Sequence, residues 1–516
     1  MFSRVLMLFA SLALTSVCYG QMTPKNADEH FQMGNYEQAL KIYERLYKQD
    51  STNTEYTYRI GVCHLNLTYD RAKAVPFLEK ASTMKGVSNF VWFDLGSAYR
   101  YTGQYDKAKE NIEKFIGITR DNYEKAQAEL MLKQLENAKV LMSKPVNVKF
   151  NNLGGNINSE YDDFYPYVDI KNKWMIYNSR RLFSKWEEAR IVNVHNAVFK
   201  KNEWKRSMRS KSVNSAENNY IVGKSSNDDF IFIKPYRYEI YEDIMMIDVT
   251  KGNIGARPVV LPEPVNTKDE ESGATLSPTG DTLIFASARK GGVGELDLYM
   301  SVKLPDNSWG TPVNIGNQIN TPYNEDYPMF SSDGKSLYFA SQGHTSMGGY
   351  DIFVSKFNQS DGTWGAPRNL GYPINNFYDN YTICYTQNSR YAYVADVRPE
   401  GLGGYDIYQL VFKNEEKSIH LLKGIISKGS VSVKQQLTEA DSIQISIYNE
   451  QTNELVGKYK IDYSSGRYIA AIFPGTYVLK VESATCKTLN HKFTIPDMLA
   501  DEEFDLGELF LEAISN

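Results

Sequence analysis

Five positions stand out as places where chemistry could sit. Asp163, Asn219, Glu271, Glu325 and Asn380 fall at one equivalent point of a repeating pattern. Three are carboxylates. Brought to one mouth of a ring, they could hold a cation or the basic terminus of a peptide. They could equally accept hydrogen bonds from a turn or a neighbouring segment, because repetition of a residue type is what a structural role produces. Asp163, Glu271 and Glu325 are therefore the candidate partner-binding residues. Asp297, Asp351 and Asp406 recur in a Gly-rich turn, where an Asp accepting backbone N–H bonds is sufficient explanation. Lys200, Lys201, Lys205, Arg206, Arg209 and Lys211 gather around one acid, Glu203. They could face an anionic partner or a membrane surface, or form a solvated hairpin edge that discourages sheet pairing.

Enzyme chemistry finds little footing. The six histidines are scattered, with no ligand-spaced pair. A Gly-x-Ser-x-Gly nucleophile elbow and a phosphate-binding Gly-x4-Gly-Lys-Ser/Thr loop are both missing from the sequence. The reading is a non-enzyme with no catalytic residue, no cofactor and no metal site.

The elements that position these residues are repeats. A hydrophobic-Asn pair opens each of five copies: Ile157-Asn158, Val213-Asn214, Val265-Asn266, Ile319-Asn320 and Ile374-Asn375, with asparagines 56, 52, 54 and 55 residues apart. The fourth copy is the fullest. Strand-like segments at 329–331, 336–341, 351–355 and 368–370 are joined by an Asp333-Gly334 hairpin turn and a Gly-rich loop. Four strands per repeat predict an all-β propeller over residues 145–414. Five blades are favoured, and six follow if residues 183–260 hide an irregular sheet. The last copy lacks a fourth strand, and an orphan strand-like piece, Val146–Leu153, precedes the first. That piece is expected to complete the last blade and remove a free sheet edge. The 37 tyrosines concentrate in this region, as at Tyr323, Tyr327, Tyr338 and Tyr350. Ser332-Asp333-Gly334, Gly348–Phe353 and Gly403–Tyr408 make the copies resemble WD40-like repeats of the TolB type.

A second period, of 34–35 residues, spans residues 22–142. Ala27, Gly61 and Gly96 mark it, as do Ala39, Ala74 and Ala108. The pattern Trp92-x2-Leu95-Gly96-x2-Tyr99, then Gly103-x-Tyr105-x2-Ala108, resembles the tetratricopeptide repeat (TPR). Small residues let paired helices approach, and Gly103 permits the turn between them. Residues 122–142 read as a capping helix. The resemblance implies an α-helical solenoid with a concave surface for peptides or partner helices.

Residues 417–516 alternate as short strands at 443–448, 457–463, 467–473 and 477–482. Ser465-Gly466-Arg467-Tyr468 and Pro474-Gly475-Thr476-Tyr477 resemble the carboxypeptidase regulatory-like β-sandwich, a fold of about seven strands.

Residues 1–20 read as a signal peptide, with Arg4 before the apolar run 5–17, which is too short to span a bilayer. Cleavage after Gly20 fits better than lipidation at Cys18, because Val17 is not a small residue. Cys63, Cys384 and Cys486 remain, and they read as buried free thiols. The net charge of −5 excludes a general nucleic-acid binder. The length predicts three or four domains.

In this order the modules resemble the periplasmic subunit associated with Bacteroidota type IX secretion and gliding. That resemblance implies an exported, periplasmic adaptor binding protein partners of the envelope, with peripheral outer-membrane association and no transmembrane segment. In that family an OmpA-like peptidoglycan-binding domain follows, whereas this sequence stops at Asn516, so direct peptidoglycan binding is not expected. The alternative function is a propeller that binds a glycan or peptide and signals through the TPR array.

Overall fold

The computed structural model describes residues 23–69, 71–182, 191–215, 218–235, 243–413, 419–495 and 503–514. The expected signal peptide and Cys18 lie outside them. The chain divides into two compact units, residues 1–135 and 136–516.

The first unit is helical. It holds α1 (Pro24–Gln32), α2 (Tyr36–Gln49), α3 (Thr54–Asn66), α4 (Ala74–Ser82), α5 (Val91–Tyr101) and α6 (Tyr105–Ile118), and α7 (Asn122–Met142) begins in it. The small residues of the 34–35 period do what their spacing predicts. A Cβ added at Gly96 would lie 2.5 Å from Ile112 Cδ1, and one added at Gly61 would lie 2.7 Å from Leu78. The paired helices can approach this closely only without that carbon. Gly103, at φ +74°, makes the turn between α5 and α6. Ala27, Ala39, Ala74 and Ala108 are fully buried. None of the helices among the described residues is long and apolar enough to cross a membrane.

The second unit is built from β-sheet. Strands at 163–168, 174–179 and 193–200 and two short outer pieces form the first sheet. The second (219–260), third (271–314) and fourth (325–369) follow the same antiparallel order, each beginning with its innermost strand. The strands among the described residues of 183–260 belong to the first and second sheets. The fifth sheet has only three strands from its own repeat, Ile383–Tyr385, Tyr391–Asp396 and Asp406–Phe412. Its fourth strand is Val148–Asn152, which pairs antiparallel with Asp406–Phe412. The orphan N-terminal strand thus covers the edge that the last repeat leaves open.

Apolar faces link the sheets in a closed cycle. One cluster joins Trp174 and Ile176 of the first sheet to Ile221 and Ile231 of the second and to Tyr393 and Ile407 of the fifth. Others join the second to the third (Phe232 with Phe285), the third to the fourth (Ile284 with Phe353) and the fourth to the fifth (Ile352 with Val394). Burying both faces of a sheet in this way makes nearly every residue of the innermost strands buried.

Residues 420–511 contribute two further four-stranded sheets. Their strands enclose one apolar cluster that includes Leu422, Ile445, Tyr468, Leu479 and Val481. The strand expected at 457–463 runs instead from Leu455 to Tyr459, paired with Gln444–Asn449.

Candidate functional site

The asparagine that opens each repeat is a clamp. Asn320 Oδ1 accepts Leu298 N at 2.8 Å, and its Nδ2 donates to Leu298 O at 3.0 Å. Asn375 brackets Ile352 in the same way, Asn266 brackets Ile244, and Asn214 brackets Val194. Each asparagine therefore satisfies the backbone at the start of the preceding sheet's third strand, or, at Ile244, one residue before it. Asn158 does this to Ile407, in the last sheet, and so ties the first repeat to the fifth. A side-chain amide carries both a donor and an acceptor, which a carboxylate does not. That is the physical reason for asparagine in all five copies.

The carboxylates act within their own repeats. Asp163, Glu271 and Glu325 each open an innermost strand and are 0% exposed. Glu325 accepts Thr321 N and Oγ1 at 2.7 Å each and Ser341 Oγ at 2.6 Å. Glu271 accepts Thr267 N and Oγ1 at 2.9 Å each and Ser287 Oγ at 2.7 Å. Asp163 accepts Ser159 N and Oγ at 2.7 Å each. Each of the three expected partner-binding carboxylates is thus held within its own repeat. Both oxygens of Glu271 and of Glu325 accept from neighbouring Ser and Thr groups, whereas in Asp163 Oδ2 takes the Ser159 donors and Oδ1 faces Arg181; no hydrogen bond joins one carboxylate to another among the described residues.

An arginine lies 18 residues beyond two of them. Arg181 Nη2 sits 3.1 Å from Asp163, and Arg289 Nη2 sits 3.2 Å from Glu271. Each also donates to the carbonyl of the repeat-opening hydrophobic residue, Ile157 or Val265. The fourth repeat has Gly343 at that spacing, and His344 Nε2 meets Ile319 O instead, at 2.8 Å. Burial pushes Glu325 up to about 8; it also raises Asp163 and Asp396, where Arg181 and Arg398 act against it. The fifth repeat exchanges the parts. Asn380 stands in the carboxylate position, Asp396 stands where the others have serine, and Arg398 Nε lies 2.7 Å from Asp396. This spacing was present in the sequence and is the signal that identifies the arginines.

The Gly-rich turns follow the simpler expectation. Asp351 accepts Met347 N, Gly348 N and Asn369 Nδ2, and Asp297 and Asp406 repeat the arrangement. Cys63, Cys384 and Cys486 are buried and free. Burial pushes the Cys384 thiol up to about 11. No group of His, Cys, Asp or Glu that could hold a metal occurs among the described residues.

Beside the carboxylates, the innermost strands bulge. Tyr165 and Tyr327 sit at these register shifts with φ of +51° and +50°, a conformation costly for a bulky side chain. Their rings are 4.6 Å apart and each packs on Tyr381, while Tyr350 packs on Tyr381 at 5.0 Å. Tyr327 Oη donates to Tyr165 Oη at 3.1 Å. The third repeat has Gly273 here. A Cβ at Gly273 would lie 2.6 Å from Tyr327 N, so this copy yields space to the tyrosine opposite. The half-buried tyrosines fill the centre of the cycle of sheets.

In the helical unit, Tyr58 Oη donates to Asp94 at 2.6 Å between α3 and α5, and Tyr99 Oη donates to Glu79 at 2.5 Å between α5 and α4. These bonds, with Arg100 donating to Gln134 at 3.2 Å, join successive hairpins. Residues 91–122 match the tetratricopeptide repeat family. That match covers the α5–α6 hairpin and the start of α7, the copy whose sequence marks are fullest.

No curated protein sequence matches the chain. Among solved structures, it is similar to TolB from Acinetobacter baumannii at 12% identity, over 57% of this chain and 71% of the other, with a TM-score of 0.30. A glycosyl hydrolase from Bacteroides ovatus is similar at 9% identity, over 48% and 84%, with a TM-score of 0.31. A Trypanosoma rangeli sialidase in complex with the inhibitor DANA is similar at 8%, over 67% and 89%, with a TM-score of 0.33.

The basic cluster is divided by the structure. Arg209 is used internally, with Nε donating to Asn193 Oδ1 at 2.7 Å and Nη2 to Ser215 O at 2.9 Å. Lys200, Lys201 and Lys205 instead line a groove of about 1090 Å³, together with Lys171, Lys173 and Lys251. The sequence reading missed the last three because they lie in other turns, as much as 80 residues along the chain from Lys171.

Proposed function

We propose that the chain is a non-catalytic scaffold of the cell envelope, binding protein partners through its TPR helices and a β-propeller. In this reading residues 22–142 are the TPR array with its cap and residues 145–414 a five-bladed propeller. Residues 417–516 are a regulatory-like β-sandwich. The closed cycle of five sheets among the described residues supports the blade count, and the shared apolar cluster of the last two sheets supports the sandwich. The module order is compatible with a periplasmic subunit of type IX secretion or gliding machinery that reaches the periplasm by cleavage after Gly20.

One observation carries the scaffold reading. The repeated polar residues that could have formed a reactive site are instead committed to holding the sheets together, as at Glu325 and Asn375. A TPR hairpin lies in the same chain, and helical repeats of this kind offer extended binding surfaces. The test is crosslinking of intact cells expressing the full chain. A stable complex with envelope proteins is expected, and recovery as an uncrosslinked monomer contradicts the reading.

The second reading, a propeller that binds a glycan or peptide, is favoured by the tyrosines Tyr165, Tyr327, Tyr350 and Tyr381. Thermal stabilisation of the chain by envelope glycans, lost in Tyr381→Ala, would support it over the first.

A further inference from the structure

The lysine-lined groove breaks the repetition that governs the rest of the sheets. It lies where the first sheet's turns and hairpin meet a hairpin of the second. Lys171 and Lys173 flank the turn at Asn172. Lys201 and Asn202 form one hairpin tip, at φ +54° and +59°, and Lys251 and Gly252 form another, at +51° and +79°. These backbone conformations suit Asn and Gly, so lysine at two of the four places is not chosen for the turn. The corresponding tips of the third and fourth sheets carry Asp306-Asn307 and Asp361-Gly362. There the aspartates accept bonds from Ser308 and Thr363. The turns matching 171–173 put Asp228 and Asp229 in the second sheet, Asp281 in the third and Asp333 in the fourth, where Lys335 stands at the place of Lys173. At the places of Lys171 and Lys201 neither the third nor the fourth sheet carries a lysine.

The groove is also nearly free of opposing acid. Among the described residues, Asp169 is the one carboxylate lining it. Asp169 is buried, and its Oδ1 accepts the backbone N–H groups of Lys173 and Trp174 at 2.5 and 2.7 Å. Glu203, beside it, pairs with Lys205. Lys171, Lys173, Lys200, Lys201 and Lys251 are exposed. The protein as a whole carries −5, so this is a concentrated positive field on a negative body, which steers an anion to one place.

The geometry points to an acidic polypeptide segment, bearing several Asp or Glu residues, as the occupant of this groove. Three features select it. The site is concave and about 1090 Å³, which fits an extended chain better than the plane of a bilayer. Its aromatic residues, Trp174 and Phe199, are buried, and the Gly252 backbone covers Trp174 so closely that a Cβ there would lie 2.6 Å from Trp174 Cβ. No ring face is left to stack on a sugar. Every cation is lysine, a point charge on a flexible stem, and none is the arginine fork that selects a single carboxylate or phosphate by bidentate geometry. Several separated lysines instead match several carboxylates along a chain.

This inference rests on the scaffold reading but can fail separately, because its test needs only the purified full-length chain and a fluorescein-labelled oligo-glutamate peptide. Anisotropy should show binding that weakens steeply as salt is raised. The double variant K171E/K200E should weaken it by about tenfold or more, and K201N/K251N, which keeps residues suited to positive φ, by about threefold. K290E/K335E, which changes net charge equally on exposed positions elsewhere, should bind as the parent does. If K171E/K200E does not fold, K201N/K251N carries the comparison. Failure to bind at low ionic strength overturns the proposal, as does an equal loss in K290E/K335E. Tighter binding to phosphatidylglycerol vesicles or to a heparin fragment, with the same lysine dependence, also overturns it and assigns the groove to a bilayer or a glycan. A complex recovered by crosslinking cells with no peptide binding would leave the scaffold standing and remove only the groove's role.

Discussion

At the opening of each repeat an asparagine brackets the preceding sheet's third strand with both ends of its amide. At the hairpin tips of the first and second sheets lysines stand in solvent, where the third and fourth sheets carry hydrogen-bonded aspartates. The two regions belong to the same set of repeats and obey different constraints. The asparagine answers a need that recurs in every copy, so its recurrence marks structure. The lysines answer no need of the hairpin, so their confinement to one groove marks an encounter with something outside the chain. The carboxylates lie on the structural side of this division, although as residue types they first suggest a ligand.

The largest effect expected is at a clamp. Asn375→Ala removes three hydrogen bonds, to Ile352 N, Ile352 O and Asn369 Oδ1, and leaves the buried Ile352 N–H without its side-chain acceptor, while Leu370 N still donates to Ile352 O. A loss of about 3 kcal/mol is expected in denaturant unfolding. A loss as small as that of a surface substitution would break the comparison.

Next come the paired and unpaired carboxylates. Glu271→Gln leaves the largely buried Arg289 without its counter-charge, and a loss of about 2 kcal/mol is expected at neutral pH. Glu325→Gln should behave oppositely. The folded state holds Glu325 at about 8, above its ordinary 4.5, so its neutral form is the one the fold prefers. The stabilisation this gives is complete below pH 4.5 and is lost as pH rises through 8. The glutamine should therefore match the wild type in acid and exceed it by about 1–2 kcal/mol above pH 8, measured as unfolding free energy against pH. The same sign at both glutamates would show that Arg289 is not what separates them.

The smallest effect on stability is expected in the groove. K171E/K200E should change unfolding by no more than about 0.5 kcal/mol, because these side chains project from exposed turns. Its large effect should appear in peptide binding alone. That pattern, inverse to the one at Asn375, sharpens the division between the two regions.

Much of the fold was legible because repeats state the same physics several times. The Ile319-Asn320 pair located each copy, the Asp333-Gly334 turn located a hairpin, and the missing fourth strand of the last copy pointed to Val148–Asn152. The α5–α6 hairpin was legible through Gly96, where a Cβ would press on Ile112. The candidate site was less so. The position of Glu325 was readable but its occupancy was not, because whether a carboxylate faces solvent or three hydroxyl and amide donors depends on local turns. The arginine spacing was visible at Arg181, Arg289 and Arg398 yet meant nothing until the strand ends were placed. Lys171 and Lys251 lie in separate repeats, and only the packing of the first sheet against the second brings them together.

The most direct test of the division places a photo-crosslinking residue at Lys201 and, in a second protein, at Asn307, the matching hairpin tip of the third sheet. After irradiation of cells expressing the full chain, adducts at 201 should map by mass spectrometry to Asp- and Glu-rich segments of other proteins, with none at 307. Identical adducts at both positions, or adducts at 201 to segments without acidic residues, would contradict the account.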